Sequence, residues 1–138
     1  MAEALILDSE AVNALARSSR RGVLEDRALA ILSLAHDRRA LVRVPAPVLA
    51  EVCKGPRFDA AVNHLLNDRG IAVLELTRKI AQQAGALLTE ARMSSVNAVD
   101  AFVVASALEF AAALVATGDP KDIRRLAARH PSVSVFSI

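Results

Sequence analysis

Short, mostly apolar runs alternate along the chain with segments in which apolar residues recur every three or four positions. The short runs predict strands, at 4–7, 41–44, 71–76, 113–116 and 133–136. The three- and four-residue spacing predicts helices, at 12–16, 24–35, 46–54, 57–67, 77–91 (with Thr77 as its cap), 98–110 and 120–129. Strands and helices therefore alternate from one end of the sequence to the other.

This alternation determines the predicted fold class. No hairpin turn signal joins one predicted strand to the next, so the connections favour a mostly parallel central sheet with helices on both faces. We find no internal repeat, low-complexity stretch or linker in the 138 residues. We therefore expect one α/β domain spanning 1–138.

Hydrophobic residues make up 54% of the chain, and the mean hydropathy is +0.35. The most apolar stretch, 98–116, is interrupted by Asp100, Ser106 and Glu109, so we expect no membrane helix. Glu3 stands where a signal peptide would carry positive charge, and Cys53 is the sole cysteine. We therefore expect a soluble cytoplasmic protein whose surplus apolar surface faces a partner chain.

The net charge is only +2, but the basic residues are clustered. Solvated helix faces explain most such clusters. If the chain binds phosphates, the cations best placed to offset acidic repulsion follow the predicted strand ends, and these are Arg17, Arg20, Arg21 and Lys121. Aromatic residues are only 3%, which argues against a base-stacking surface.

Two acids follow predicted strands directly. Asp8 comes after the first strand, and Asp119 comes after the fourth by the step Thr117-Gly118, where glycine allows a sharp turn. Because the carboxyl ends of parallel strands meet at one edge, we expect both side chains there.

Two further acids lie in apolar surroundings on predicted helices. Asp100 is in the first turn of a helix that is hydrophobic on every side, and Glu51 lies on the helix after the second strand. Burying a carboxylate in such surroundings is costly unless something compensates for its charge.

Each acid also has a purely structural interpretation. Asp119 before Pro120 suits a helix cap, Asp100 suits the helix dipole, Asp8 suits a turn, and Glu51 suits a solvated helix face. As a set, however, four carboxylates at one edge would repel one another unless a cation neutralised them. Oxygen ligands without convergent His or Cys favour Mg²⁺, with Mn²⁺ able to substitute. Such an ion can activate water for attack on a phosphodiester.

The sequence resembles the PIN-domain family and, within it, the VapC-type toxins of bacterial toxin–antitoxin systems. The segments that carry the resemblance are 5–9 (LILDS), 44–52 (VPAPVLAEV), 96–105 (VNAVDAFVVA) and 116–123 (ATGDPKDI). It implies a metal-dependent endoribonuclease with Asp8, Glu51, Asp100 and Asp119 at the site. It also implies an RNA substrate, a homodimer and a cognate antitoxin. Ser9 and Thr117 match supporting positions, and Asp122 matches a second, less constant acid.

One position departs from the family pattern, because Glu10 stands where a small apolar residue is common. Two alternative functions also stay open. A phosphoryl-handling α/β domain with Asp8 as nucleophile would need a lysine at a strand end, and Lys54, Lys79 and Lys121 are not so placed. The other alternative is a non-catalytic PIN-like binding module. His36, His64 and His130 lack ligand spacing, and we expect them at the surface or at helix ends.

Overall fold

The computed structural model describes residues 3–17 and 22–138 as seven helices and five strands. The strands are β1 (Glu3–Leu7), β2 (Leu41–Pro45), β3 (Ala72–Leu74), β4 (Ala112–Thr117) and β5 (Val133–Ser137). The helices are α1 (Ser9–Ala16), α2 (Val23–Asp37), α3 (Ala46–Val52), α4 (Pro56–Asp68), α5 (Arg78–Ala91), α6 (Ala98–Ala107) and α7 (Pro120–Ala127). A single 3₁₀ turn, Ser95–Asn97, precedes α6.

The strands form one all-parallel sheet in the order β3-β2-β1-β4-β5. From β1 the chain builds outward through β2 to β3, then returns to place β4 on the other side of β1. The strand order therefore reverses between β1 and β4, which is where α/β sheets form their binding crevices. The predicted parallel α/β fold is confirmed.

Helices cover both faces of the sheet. Right-handed crossovers put the helices that lead from β1 to β3 on one face and those that lead from β3 to β5 on the other. Accordingly, α1 packs against α2, α3 and α4, while α5, α6 and α7 pack against one another. Between these layers the side chains of Ala4 to Leu7 in β1 and of the middle of α6 are almost completely buried. This explains why both segments are apolar without alternation.

The predicted elements are all present, and the differences lie at their ends. The sixth helix ends at Ala107 instead of 110, because the amides of Glu109 and Phe110 turn back to the carbonyls of Ser106 and Ala107. The seventh ends at Ala127 instead of 129. The third strand is shorter than predicted because its partner β2 stops pairing at Pro45, where α3 begins. Within the described ranges, no helix is long and apolar enough to cross a membrane.

Candidate metal centre

Asp8 occupies the end of β1 at the point where the strand order reverses. Its side chain is 5% exposed, and its Oδ1 accepts a hydrogen bond of 2.9 Å from the amide of Ala11 as the cap of α1. Burial raises the pKa of the Asp8 carboxyl, and the nearby charge of Glu10 raises it further. Hydrogen bonds from Thr117, Ala11 and Gly118 act in the opposite direction. The carboxyl is thus fixed by its neighbours and costly to ionise.

The loop after β4 connects Asp8 to Asp119. Thr117 is fully buried, and its hydroxyl accepts a hydrogen bond of 2.9 Å from the amide of Asp119 while it also bonds to Asp8. Asp119 is at the N-cap position of α7, yet its side chain makes no capping hydrogen bond. The helix-cap interpretation of its carboxylate is therefore wrong, and the side chain stays available for another partner.

Asp100, Asp119 and Asp122 bring their carboxylates together, with one oxygen from each lying within 4.8 Å of the others. Burial raises the pKa of Asp100 from 3.8 to about 6, with further contributions from the charges of Asp119, Asp8 and Asp122. A helix N-terminus would lower the pKa of an acid in its first turn. At Asp100, burial and the neighbouring carboxylates outweigh that effect.

The turn just before α6 adds a hydrogen-bond donor to this group of carboxylates. Ser94 begins the 3₁₀ turn by accepting a hydrogen bond from the amide of Val96. Asn97 is next to α6 at the N-cap position but makes no side-chain capping bond. Its amide nitrogen Nδ2 instead lies 3.2 Å from Oδ2 of Asp122.

Glu51 lies on α3 and is connected to Asp8 through the neighbouring residue. The hydroxyl of Ser9 donates a short hydrogen bond to Oε1 of Glu51. The group of mutually close carboxylates includes Asp122 and contains neither Glu51 nor Asp8. Of the four predicted site residues, then, Asp100 and Asp119 are in that group, and Asp8 interacts with Asp100 by charge. Glu51 contacts Ser9, the residue after Asp8.

Glu10 lies against the loop after β4 instead of pointing away from it. Its carboxylate occupies the space where a Cβ on residue 118 would lie, and that Cβ would be 2.9 Å from the Cβ of Glu10. The chain bends at Gly118 as expected, but without a positive φ, so the bend itself does not require glycine. A side chain at residue 118 would therefore collide with Glu10.

Of the four basic residues predicted to lie near the acids, the structure describes Arg17 and Lys121. Arg17 stacks its guanidinium 4.7 Å from the ring centre of Phe58, beside a groove that Glu10 also lines. Lys121 is exposed in the first turn of α7. Arg20 and Arg21 lie outside the described residues.

The donor set fits a hard divalent cation. The close group in the described part of the chain consists only of aspartates, whose repulsion a cation would relieve. His130 lies elsewhere, 3.0 Å from the carboxylate of Glu90. The sequence indicates only a minor role for Asp122 and gives no signal for Asn97, because the positions of both side chains depend on how α6 packs against α7.

The fold and the site together define an all-parallel α/β domain with an acidic centre where its strand order reverses. The chain belongs to the PIN domain family, whose model matches residues 5–129. It is also similar to a chain of the solved structure described as "Structure of the PIN domain endonuclease Utp24". That likeness has a TM-score of 0.58 at 19% identity and covers 98% of this chain and 84% of the other. At this identity it shows the fold alone. No curated protein sequence matches the chain.

Proposed function

We propose that this PIN domain is a metal-dependent endoribonuclease whose site comprises Asp8, Glu51, Asp100 and Asp119, with Mg²⁺ as its ion and Mn²⁺ able to substitute. The observation that carries the proposal is the group of three aspartates within 4.8 Å at the reversal of strand order. A cation or a proton relieves the repulsion among three carboxylates this close together. The raised pKa of Asp100 is the consequence expected of that repulsion when no cation is bound.

The bound ion would supply Lewis-acid activation of water and of the scissile phosphate. The protein's contribution is to hold the ligands. Asp100 and Asp119 face one another from α6 and from the loop after β4, and three hydrogen bonds fix Asp8 beside them. Ser9 holds Oε1 of Glu51, and Glu51 is exposed, so its second oxygen can orient a water that approaches the edge.

RNA must approach this acidic edge against its charge. Arg17 is held by Phe58 in the groove beside Glu10, and Lys121 is three residues or fewer from both Asp119 and Asp122. These cations supply the attraction for phosphates that the carboxylates lack. Two cations in these positions can attract phosphates even though the net charge of the chain is only +2.

The finer proposal is that the enzyme is a cytoplasmic VapC-type toxin that forms a homodimer and is inhibited by a cognate antitoxin. Its support is the resemblance along the whole sequence together with exposed apolar side chains. Val23 and Leu24 are 69% and 50% exposed at the start of α2, beside the groove that contains Arg17. Val96, next to the acidic centre, is 91% exposed. Such residues are suitable contacts for partner chains.

The test is cleavage of an end-labelled mixed RNA by the parent and by Asp8→Asn, Asp100→Asn and Asp119→Asn, in Mn²⁺ and in EDTA. Asp68→Asn, an exposed change at the end of α4, is the matched control. We expect cleavage only by the parent and the control, and only with metal. Cleavage that persists in EDTA or in Asp100→Asn would refute the proposal.

The same assay distinguishes the alternatives. A parent protein that binds Mn²⁺ and leaves RNA intact would indicate a non-catalytic module. The hydrogen-bond partners of Asp8 are Thr117, Ala11 and Gly118, and none of them is the lysine that an aspartyl-phosphate site requires. For the toxin, co-expression with a cognate antitoxin should abolish both cleavage and growth arrest.

A further inference from the structure

Asn97 lies at the N-cap position of α6, but its side chain makes no capping hydrogen bond. Asparagine is among the preferred N-cap residues because its side-chain oxygen accepts a hydrogen bond from the first turn. In this protein Asn97 precedes α6 and forms no such bond. The side chain of Asn97 is therefore free to interact with groups other than the backbone of its own helix.

That interaction is with two carboxylates on different elements. Nδ2 of Asn97 is 3.2 Å from Oδ2 of Asp122 on α7, and the side chain also hydrogen-bonds to Asp100 on its own helix. Ionised carboxylates only accept hydrogen bonds, so the amide must present its NH₂ group to them. Asn97 is thus an uncharged donor between two acids that repel each other.

This bond restrains the carboxylate of Asp122. Like Asp100, Asp122 has a partly exposed side chain, and Asp122 lies in the first turn of α7. Its oxygen lies within 4.8 Å of oxygens of both Asp100 and Asp119. Without a donor, repulsion would favour rotamers that direct the carboxylate of Asp122 toward solvent.

We propose that Asn97 is a positioning residue that holds Asp122 in the metal centre, making Asp122 a ligand or an immediate support of a ligand. This inference rests on the proposed function, since it requires that the acidic centre bind a divalent cation. Removing a residue that orients a metal ligand in this way typically weakens metal binding about 10- to 100-fold. Asn97 would therefore contribute to metal affinity without touching the RNA.

The experiment is titration of the whole chain with Mn²⁺. Binding is measured by calorimetry and by the electron paramagnetic resonance signal of free Mn²⁺. The variants are Asn97→Ala, Asp122→Ala, the double variant and Asp100→Asn. Ser94→Ala is the matched control, because it removes a capping bond from the same turn without touching a carboxylate. Circular dichroism and melting establish that each variant is folded.

We expect Asn97→Ala and Asp122→Ala each to raise the Kd for Mn²⁺ about tenfold. The double variant should bind no more weakly than Asp122→Ala, because Asn97 acts through that residue. Ser94→Ala should bind as the parent does. Parent-like binding by folded Asn97→Ala, multiplied effects in the double variant, or equal weakening by Ser94→Ala would each overturn the inference.

The Asp100→Asn arm separates this inference from the proposed function. Loss of Mn²⁺ binding in Asp100→Asn with unchanged binding in Asn97→Ala refutes only the role of Asn97. Unchanged binding in Asp100→Asn refutes the metal centre itself, and the role of Asn97 with it.

Discussion

Replacing Asp100 with asparagine should make the metal-free protein more stable while abolishing its activity. Burial and three neighbouring acids raise the pKa of Asp100 from 3.8 to about 6. At about 1.36 kcal/mol for each tenfold change in proton affinity, ionising this carboxyl costs about 3 kcal/mol more in the folded protein than in the unfolded chain. Because the side chain is only half-buried and salt screens its neighbours, we expect about 1 to 3 kcal/mol of this to appear in Asp100→Asn.

The sign of the pH dependence follows from the direction of this pKa. Since the folded protein holds the proton more tightly, it binds more protons than the unfolded chain between about pH 4 and pH 6. The parent's stability without metal should therefore fall as the pH rises through that range, and Asp100→Asn should lack this contribution. The difference between the two proteins should be largest above pH 7 and should vanish near pH 4.

The assay is urea denaturation of both proteins in EDTA at pH 4.5 and pH 7.5, paired with RNA cleavage in Mn²⁺. Asp26→Asn is the matched control, because Asp26 is an exposed acid in the first turn of α2 that lies in no acidic cluster. It should lose about 0.3 to 1 kcal/mol through the helix dipole. If Asp100→Asn is destabilised in the same way and still cuts RNA, the carboxyl is only a dipole partner and the reasoning is refuted.

Three further predictions concern other parts of the same edge. Millimolar Mn²⁺ should raise the melting temperature of the parent by mass action, and Asp8→Asn should remove most of that rise; an undiminished rise would locate the ion elsewhere. Arg17→Ala should weaken RNA binding and reduce its salt dependence, whereas Arg38→Ala, at the far end of α2, should not; equal effects of both would contradict a specific route past Phe58. Gly118→Ala should cost about 1 to 3 kcal/mol of unfolding free energy in urea, because the new methyl group overlaps Glu10; Glu10→Ala in the same chain should recover part of the loss, and additive losses would contradict this contact.

The sequence predicts the fold well because apolar periodicity reports which faces are buried. It locates the α6 and α7 ends less well, because they depend on local turns of the backbone. For the site, strand ends predict that Asp8 and Asp119 lie at one edge, since parallel strands finish together. The bond between Asn97 and Asp122 has no such signal, because the two residues are 25 positions apart and meet only through helix packing.

The pairing of β4 with β1 has a consequence for the nascent protein. Asp8 is synthesised well before the strand that completes its surroundings, which begins at Ala112, and the register joins Leu7 to Ala116. Contacts this distant in sequence form late, because the intervening chain must first be ordered. A growing chain therefore carries single, separated acids on the ribosome. If the protein is the ribonuclease we propose, it becomes active only after β4 has been synthesised and has paired with β1.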